Sequence, residues 1–207
     1  MPLTIVACTI GSKSLNVLKT SVMTYAPNAS LCIWQDARAN NFGDAYNAAM
    51  TEAFKSNDEI IISNDDAVLT PETINLLIQD VGKIKMSGCQ KIGFVGSLFD
   101  AGRYEQDIRN PVNHNPILRR VERLSPVFAW INKEAFEAAQ FPPLNWYSDD
   151  VMCEDLNKKG YSHFVSRAYV HHAGSQTVGE DFAKLNADAM PWLRANRPEY
   201  ISKWFGG

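Results

Sequence analysis

Apolar and polar positions alternate along this chain in short runs and longer periodic stretches. Leu3-Thr-Ile-Val-Ala-Cys-Thr9 is β-branched and apolar and is ended by Gly11, the pattern of a buried strand. Residues 14–25 then place Leu15, Leu18 and Val22 at helical spacing and stop before Pro27. The pair recurs, with a strand predicted from Ser30 to Gln35, closed by Asp36, and a helix from Asp44 to Lys55. Ala45, Ala48, Ala49 and Ala53 permit that helix close packing. Glu59 to Ser63 predicts a third strand, ended abruptly by Asn64-Asp65-Asp66. Thr70-Pro71-Glu72-Thr73 predicts a helix start, with Pro71 in the first helical position and an end near Lys85. Lys91 to Ser97 predicts a fourth strand. This alternation argues for an α/β fold with a mainly parallel central sheet flanked by helices on both faces.

Beyond Leu98 the pattern loosens. Residues 100–116 are polar and mixed, a longer connection than most, and such loops are often functional. Strand-like stretches lie within Arg119 to Ile131, a short helix spans Lys133 to Ala139, and a further helix runs from Asp149 to Lys159, ended by Gly160. His163 to Val170 predicts the last strand. An aromatic tail from Trp192 through Trp204-Phe205 packs on the core, covers a ligand or mediates a homo-oligomer. With no internal repeat, low-complexity tract or linker, residues 1–207 are expected to form a single domain.

Composition narrows the function classes. The chain has 207 residues, 45% of them hydrophobic and 21% charged, in the range of an ordinary globular protein. Its formal charge of −3 and lack of a basic stripe disfavour nucleic acid as a partner. No stretch approaches the roughly 18–20 apolar residues that span a bilayer, so no transmembrane segment is expected. The N-terminus lacks a basic leader and a small-residue cleavage site, and a cytoplasmic location is the expectation. Cys8, Cys32, Cys89 and Cys153 show no C-x-x-C spacing and are expected to be buried, reduced thiols rather than zinc ligands.

Candidate chemistry sits at strand ends, where open α/β sheets bind ligands. Thr9, Asp36 and Asn64-Asp65-Asp66 all occupy such ends. Two adjacent acids after a buried strand repel one another unless a cation relieves them, and Mg²⁺ or Mn²⁺ needs only one or two carboxylates besides substrate phosphates. A solvated turn capping the next helix is the alternative. Asp149-Asp150 follows Trp146-Tyr147; acids beside bulky apolar groups gain basicity, although on these residues alone an ordinary helix N-cap is the better account. Of His171 and His172 only one can face the same rim, because neighbours on a strand point to opposite faces.

Taken in order, these residues resemble a family 2 glycosyltransferase of the GT-A fold over most of the chain, from Thr4 to about Thr177. Asn41-Phe42-Gly43 followed by Asn47 is similar to the family's Asn-x-Gly-Phe…Asn stretch. Ile60-Ile61-Ile62-Ser63-Asn64-Asp65-Asp66 resembles its Asp-x-Asp-type metal motif, with Asn64 in place of the first acid. The strand and helix from Phe128 to Phe136 resemble the acceptor side, Asp149-Asp150…Gly160-Tyr161 the segment carrying the catalytic base, and Val170-His171-His172-Ala173-Gly174 the Val-x-His-x-Gly stretch.

The resemblance implies a metal-dependent, inverting transfer of a sugar from a nucleotide-sugar, a UDP- or GDP-sugar, to the hydroxyl of an unknown glycan or other acceptor. Asp66 and His172 would hold Mn²⁺ or Mg²⁺; Thr9, Asp36 and Asp65 would line the nucleotide pocket; Asp150, or failing it Asp149, would be the base. Trp146 and Tyr147 offer a platform for a sugar face or belong to the core, and Arg103, Arg109 and Lys203 are candidate phosphate contacts. A retaining glycosyltransferase, a nucleotidylyltransferase and a non-catalytic carbohydrate-binding protein are the rival readings.

Overall fold

Five strands run in one direction in this computed structural model, which describes residues 3–11, 14–35, 41–100, 102–172 and 181–206. They are β1 (Thr4–Cys8), β2 (Ser30–Trp34), β3 (Glu59–Asn64), β5 (Ile92–Leu98) and β8 (Ser162–His172). β4 (Ala67–Leu69), β6 (Arg119–Val121) and β7 (Phe128–Asn132) run against them. The order is β2-β1-β3-β7-β5-β8-β4, with β6 also paired to β8. The mainly parallel α/β sheet expected from the sequence is therefore present, with β7 inserted between β3 and β5.

Period-two alternation assigns each strand's side chains to two cores. Val6, Ile60 and Ile62 face α2 (Phe42–Ala53), α4 (Lys133–Ala138) and α5 (Ser148–Lys158), where they meet Tyr46, Met50, Phe136 and Leu156. Ile5, Ala7 and Ile61 face the other way, toward Leu18 and Val22 of α1 (Leu15–Tyr25) and Leu77 and Val81 of α3 (Thr73–Met86). A third cluster joins Leu144 and Val151 to Ala189, Leu193 and Tyr200 of α6 (Phe182–Asn196) and α7 (Pro198–Phe205).

Several elements differ from expectation. α3 begins at Thr73, not at Pro71, because residues 67–69 form β4 and the chain then turns: the Thr70 amide donates to Thr73 Oγ1 at 2.8 Å, and Thr73 Oγ1 donates to the Tyr169 carbonyl at 2.5 Å. Pairing with β4 also carries the last strand on to His172. The thiols are free, but only Cys8 and Cys153 are buried; Cys32 is exposed and Cys89 half-buried. β2 is an edge strand, so the apolar run around Cys32 lacks the cover that its composition suggests. No helix among the described residues is long and apolar enough to cross a membrane.

One local sequence fixes the frame. Asn41 caps α2 by accepting from the Asp44 amide at 2.9 Å, and Asn47 exchanges two hydrogen bonds with the Phe141 backbone. A Cβ on Gly43 would stand 1.8 Å from the Pro142 carbonyl oxygen, so only glycine fits. The Asn-Phe-Gly…Asn stretch thus locks α2 against the segment that leads into α5.

Candidate functional site

The polar groups collect where β1, β3, β5 and β8 end. Thr9 Oγ1 donates to Asp65 Oδ2 at 2.6 Å and accepts from the Gly11 amide at 3.0 Å, tying the end of β1 to the end of β3. Asp65 and Asp66 are buried, 3% and 7% exposed. Asp66 Oδ1 lies 3.1 Å from His172 Nε2 across more than a hundred residues of sequence, and Asn64 Nδ2 stands 3.3 Å from the same nitrogen. His171 projects outward and His172 inward, as strand alternation requires: their side chains are 59% and 10% exposed.

His172 is held from two further directions. Its ring meets Phe99 edge-on at 5.5 Å, and its backbone amide donates to Asp100 Oδ2 at 3.2 Å. The same carboxylate accepts from the Tyr169 hydroxyl at 2.8 Å and pairs with His171 Nδ1 at 2.6 Å. Burial pushes the Asp100 carboxyl up, but these donors outweigh it and hold it below the usual carboxylate range. Asp100 is a residue the sequence reading missed, although its place just past the end of β5 was the available signal.

The second acidic pair stands on the same rim. Val127, entering β7, accepts from the Asn64 amide at 2.8 Å; two residues earlier Ser125 Oγ accepts from Arg103 Nε at 3.0 Å; and Arg103 Nη2 donates to Asp150 Oδ2 at 2.7 Å. Arg123 Nη1 donates to the other oxygen of Asp150 at 2.9 Å. Asp150 is thus buried with a guanidinium on each oxygen, whereas the Asp149 side chain is 20% exposed and lies 3.5 Å from Arg103. Burial and, next, the Asp149 charge prevail over the two guanidiniums and raise the Asp150 carboxyl to about 6. Burial lowers Arg103 less than Asp149 and Asp150 raise it, so it stays charged.

The other expected residues fall into place unevenly. Asp36 lies outside the described residues. Trp146 and Tyr147 pack half-buried against α6 and α7. Of the three candidate phosphate contacts, Arg103 serves the acid pair, Arg109 pairs with Asp107 at 2.7 Å, and Lys203 pairs with Glu154 at 2.9 Å. Arg123, not singled out from the sequence, also pairs with Asp150, at 2.9 Å.

Among the described residues no group of three or more His, Cys, Asp or Glu is placed to hold a metal ion unaided. The donor set at Asp66 nevertheless suits a shared cation. One imidazole nitrogen faces both a carboxylate oxygen and an amide nitrogen, and no single proton satisfies both contacts. Asp66 Oδ1 and His172 Nε2 are the atoms that would hold Mg²⁺ or Mn²⁺ there.

No family model matches this sequence, and no curated protein matches it either. Solved structures do. A197 from STIV superposes with a TM-score of 0.59 at 16% identity, covering 83% of this chain and 85% of that one. S. aureus TarS 1-349 superposes at 0.55 and 14%, covering 95% of this chain and 66% of that one. The same TarS fragment in complex with UDP-GlcNAc gives 0.55 and 14%, with 95% and 68% covered. At these identities the likeness shows a shared fold alone, the mainly parallel α/β arrangement expected from the sequence.

Proposed function

We propose that the chain is a metal-dependent glycosyltransferase that moves a sugar from a nucleoside-diphosphate sugar to an acceptor hydroxyl. The carrying observation is the convergence of Asp66 and His172, 3.1 Å apart, on the rim that also bears Asp149 and Asp150. Asp66 and His172 would hold Mn²⁺ or Mg²⁺, which supplies a positive charge against the departing diphosphate. Thr9 and Asp65 border the nucleoside side, with Asp65 oriented by the Thr9 hydroxyl. Since TarS was crystallised with UDP-GlcNAc, a UDP-sugar is the donor to try first.

On the acceptor side the reading is an inverting displacement. The acceptor oxygen bonds to the anomeric carbon, its proton passes to a carboxylate, and the bond to the diphosphate breaks with its electron pair leaving on the phosphate oxygen. Asp150 is the proton acceptor in this scheme, since its carboxyl, raised to about 6, is ionised at neutral pH yet more basic than an exposed acid. Arg103 lies between both acids, at 2.7 Å from Asp150 and 3.5 Å from Asp149, and can follow the charge as the proton arrives. Asp149, the more open carboxylate, orients the hydroxyl.

The test is a panel of UDP- and GDP-sugars, read by thermal shift and by release of free sugar, with and without Mn²⁺ or Mg²⁺. A metal-dependent shift with at least one nucleotide is expected. Lack of any shift with every nucleoside diphosphate and either metal would end this reading. Once an acceptor is found, the anomeric configuration of the product, read by NMR, separates inversion from retention.

A further inference from the structure

We infer that Asp80 of α3 is a positioning residue for the Asp66–His172 pair: its carboxylate holds open a two-residue bulge in β8, and that bulge sets the register at which His172 meets Asp66. The register stands on the geometry alone. Its consequence for a bound cation rests on the metal-dependent reading proposed above.

β8 pairs in two halves. Residues 163–165 lie against β6 and residues 170–172 against β4. Along β5, Gly96 stands opposite Val165 and Leu98 opposite Tyr169. One residue of β5 separates those pairs, whereas β8 spends three there: Ser166, Arg167 and Ala168. The surplus is two residues, about 6.6 Å of strand. In a regular strand Leu98 would face Arg167, and Val170 would stand at the height that His172 now occupies. Residues two apart share a face, so the strand would then offer Asp66 a valine in place of an imidazole.

A bulge within a packed sheet leaves backbone amides without a partner across the ladder, and a buried amide must find one. Asp80 serves two of them. The Arg167 amide donates to Asp80 Oδ2 at 2.9 Å. The Ala168 amide donates to Ser166 Oγ at 3.1 Å, and that hydroxyl donates onward to Asp80 Oδ2 at 2.9 Å. The Arg167 side chain folds back on Asp80 Oδ1 through Nε at 3.0 Å and Nη2 at 2.7 Å, and Lys83 Nζ approaches the same oxygen at 3.4 Å.

Asp80, Ser166 and Ala168 are fully buried, so the bulge depends on the protein itself for these bonds. Burial pushes the Asp80 carboxyl up, but the Arg167 and Ser166 donors outweigh it and hold it below the usual carboxylate range. α3 grips the strand again just beyond the bulge, where Thr73 Oγ1 donates to the Tyr169 carbonyl. One helix thus fixes both where β8 takes up its extra length and where it resumes pairing.

The experiment compares the full chain with its D80N and D80A variants. It reads amide hydrogen exchange by NMR, and Mn²⁺ binding with UDP or GDP through the EPR signal of free Mn²⁺. In both variants exchange should accelerate tenfold or more over residues 167–172 while residues 162–165 keep parental rates, and Mn²⁺ should bind at least tenfold more weakly. Removing Ser166 and Arg167 from D80A lets a regular strand bring Tyr169 to Leu98, and should return Mn²⁺ affinity to within about threefold of the parent. An Asp80 that only stabilises the fold would raise exchange evenly across β8 and α3, and that result overturns the inference. So does parental exchange beyond the bulge in D80N and D80A, or a shortened D80A chain that melts like the parent yet binds Mn²⁺ no better than D80A. If the parent takes up no Mn²⁺ with either nucleotide, the metal reading fails instead, and the exchange pattern alone upholds or overturns the role of Asp80.

Discussion

Asp65-Asp66 and Asp149-Asp150 are both adjacent acids on one rim, yet their surroundings differ in kind. Asp150 brings its own cations, one guanidinium on each oxygen. Asp66 meets an imidazole and, among the described residues, no lysine or arginine pairs with it. In the proposed reading, the site that supplies its own counter-charge would tune a proton, and the site that leaves the counter-charge to be added would bind a cation. The same dipeptide would thereby be turned to two uses by what the fold places opposite it.

The contrast breaks most visibly at Asp66. D66A removes the carboxylate facing His172, and Mn²⁺-dependent donor hydrolysis should fall by about a thousandfold or more, with the metal-dependent thermal shift lost. If D66A keeps that shift, the first pair is a structural turn and the comparison collapses. D150N should lower transfer by about a hundredfold to a thousandfold, because an amide of the same shape cannot take the acceptor's proton. Its nucleotide-dependent thermal shift should persist, which separates the two pairs by readout. If D149N shows the larger loss, the roles within the second pair are exchanged.

How much of this was legible depended on how local each cause is. The first hundred residues read well because buried strands and amphipathic helices print their periods directly into the sequence, and Asn64-Asp65-Asp66 stood at a strand end by that logic. β4 is three residues long and exists only by pairing with β8 about a hundred residues away, so nothing local announces it. α6 contains Pro191 in its interior, a residue that reads as a stop. Arg103 reads as a candidate phosphate contact, and Arg123 draws no notice, because an arginine's role is set by its partner and the partner lies across the fold. Cys32 misled for the reverse reason: an apolar run does not say whether its strand is central or at the edge.

The outer support of His172 sharpens the first half of the contrast. Asp100 holds the His172 amide, the Tyr169 hydroxyl and His171. D100A should raise the Mn²⁺ concentration needed for half-maximal hydrolysis about tenfold, since outer partners of metal ligands usually cost 10–100-fold in affinity. Saturating Mn²⁺ should restore most of the rate, which a general loss of folding would not allow.

The smallest effect bears on the second half, through Arg123. Its positive charge holds the Asp150 carboxyl down, against burial and Asp149, which raise it to about 6. A base must be ionised to act, so activity should climb with pH through that value. R123Q removes one of the two opposing cations, so the carboxyl rises further and the acidic limb of kcat/KM should move up by about one pH unit. R123K keeps the charge but not the planar stack on Trp204, and should leave the limb where it was. A limb that stays put in R123Q would mean that the charge of Arg123 does not reach the base, and would leave Arg123 as a bridge between α5 and α7 alone.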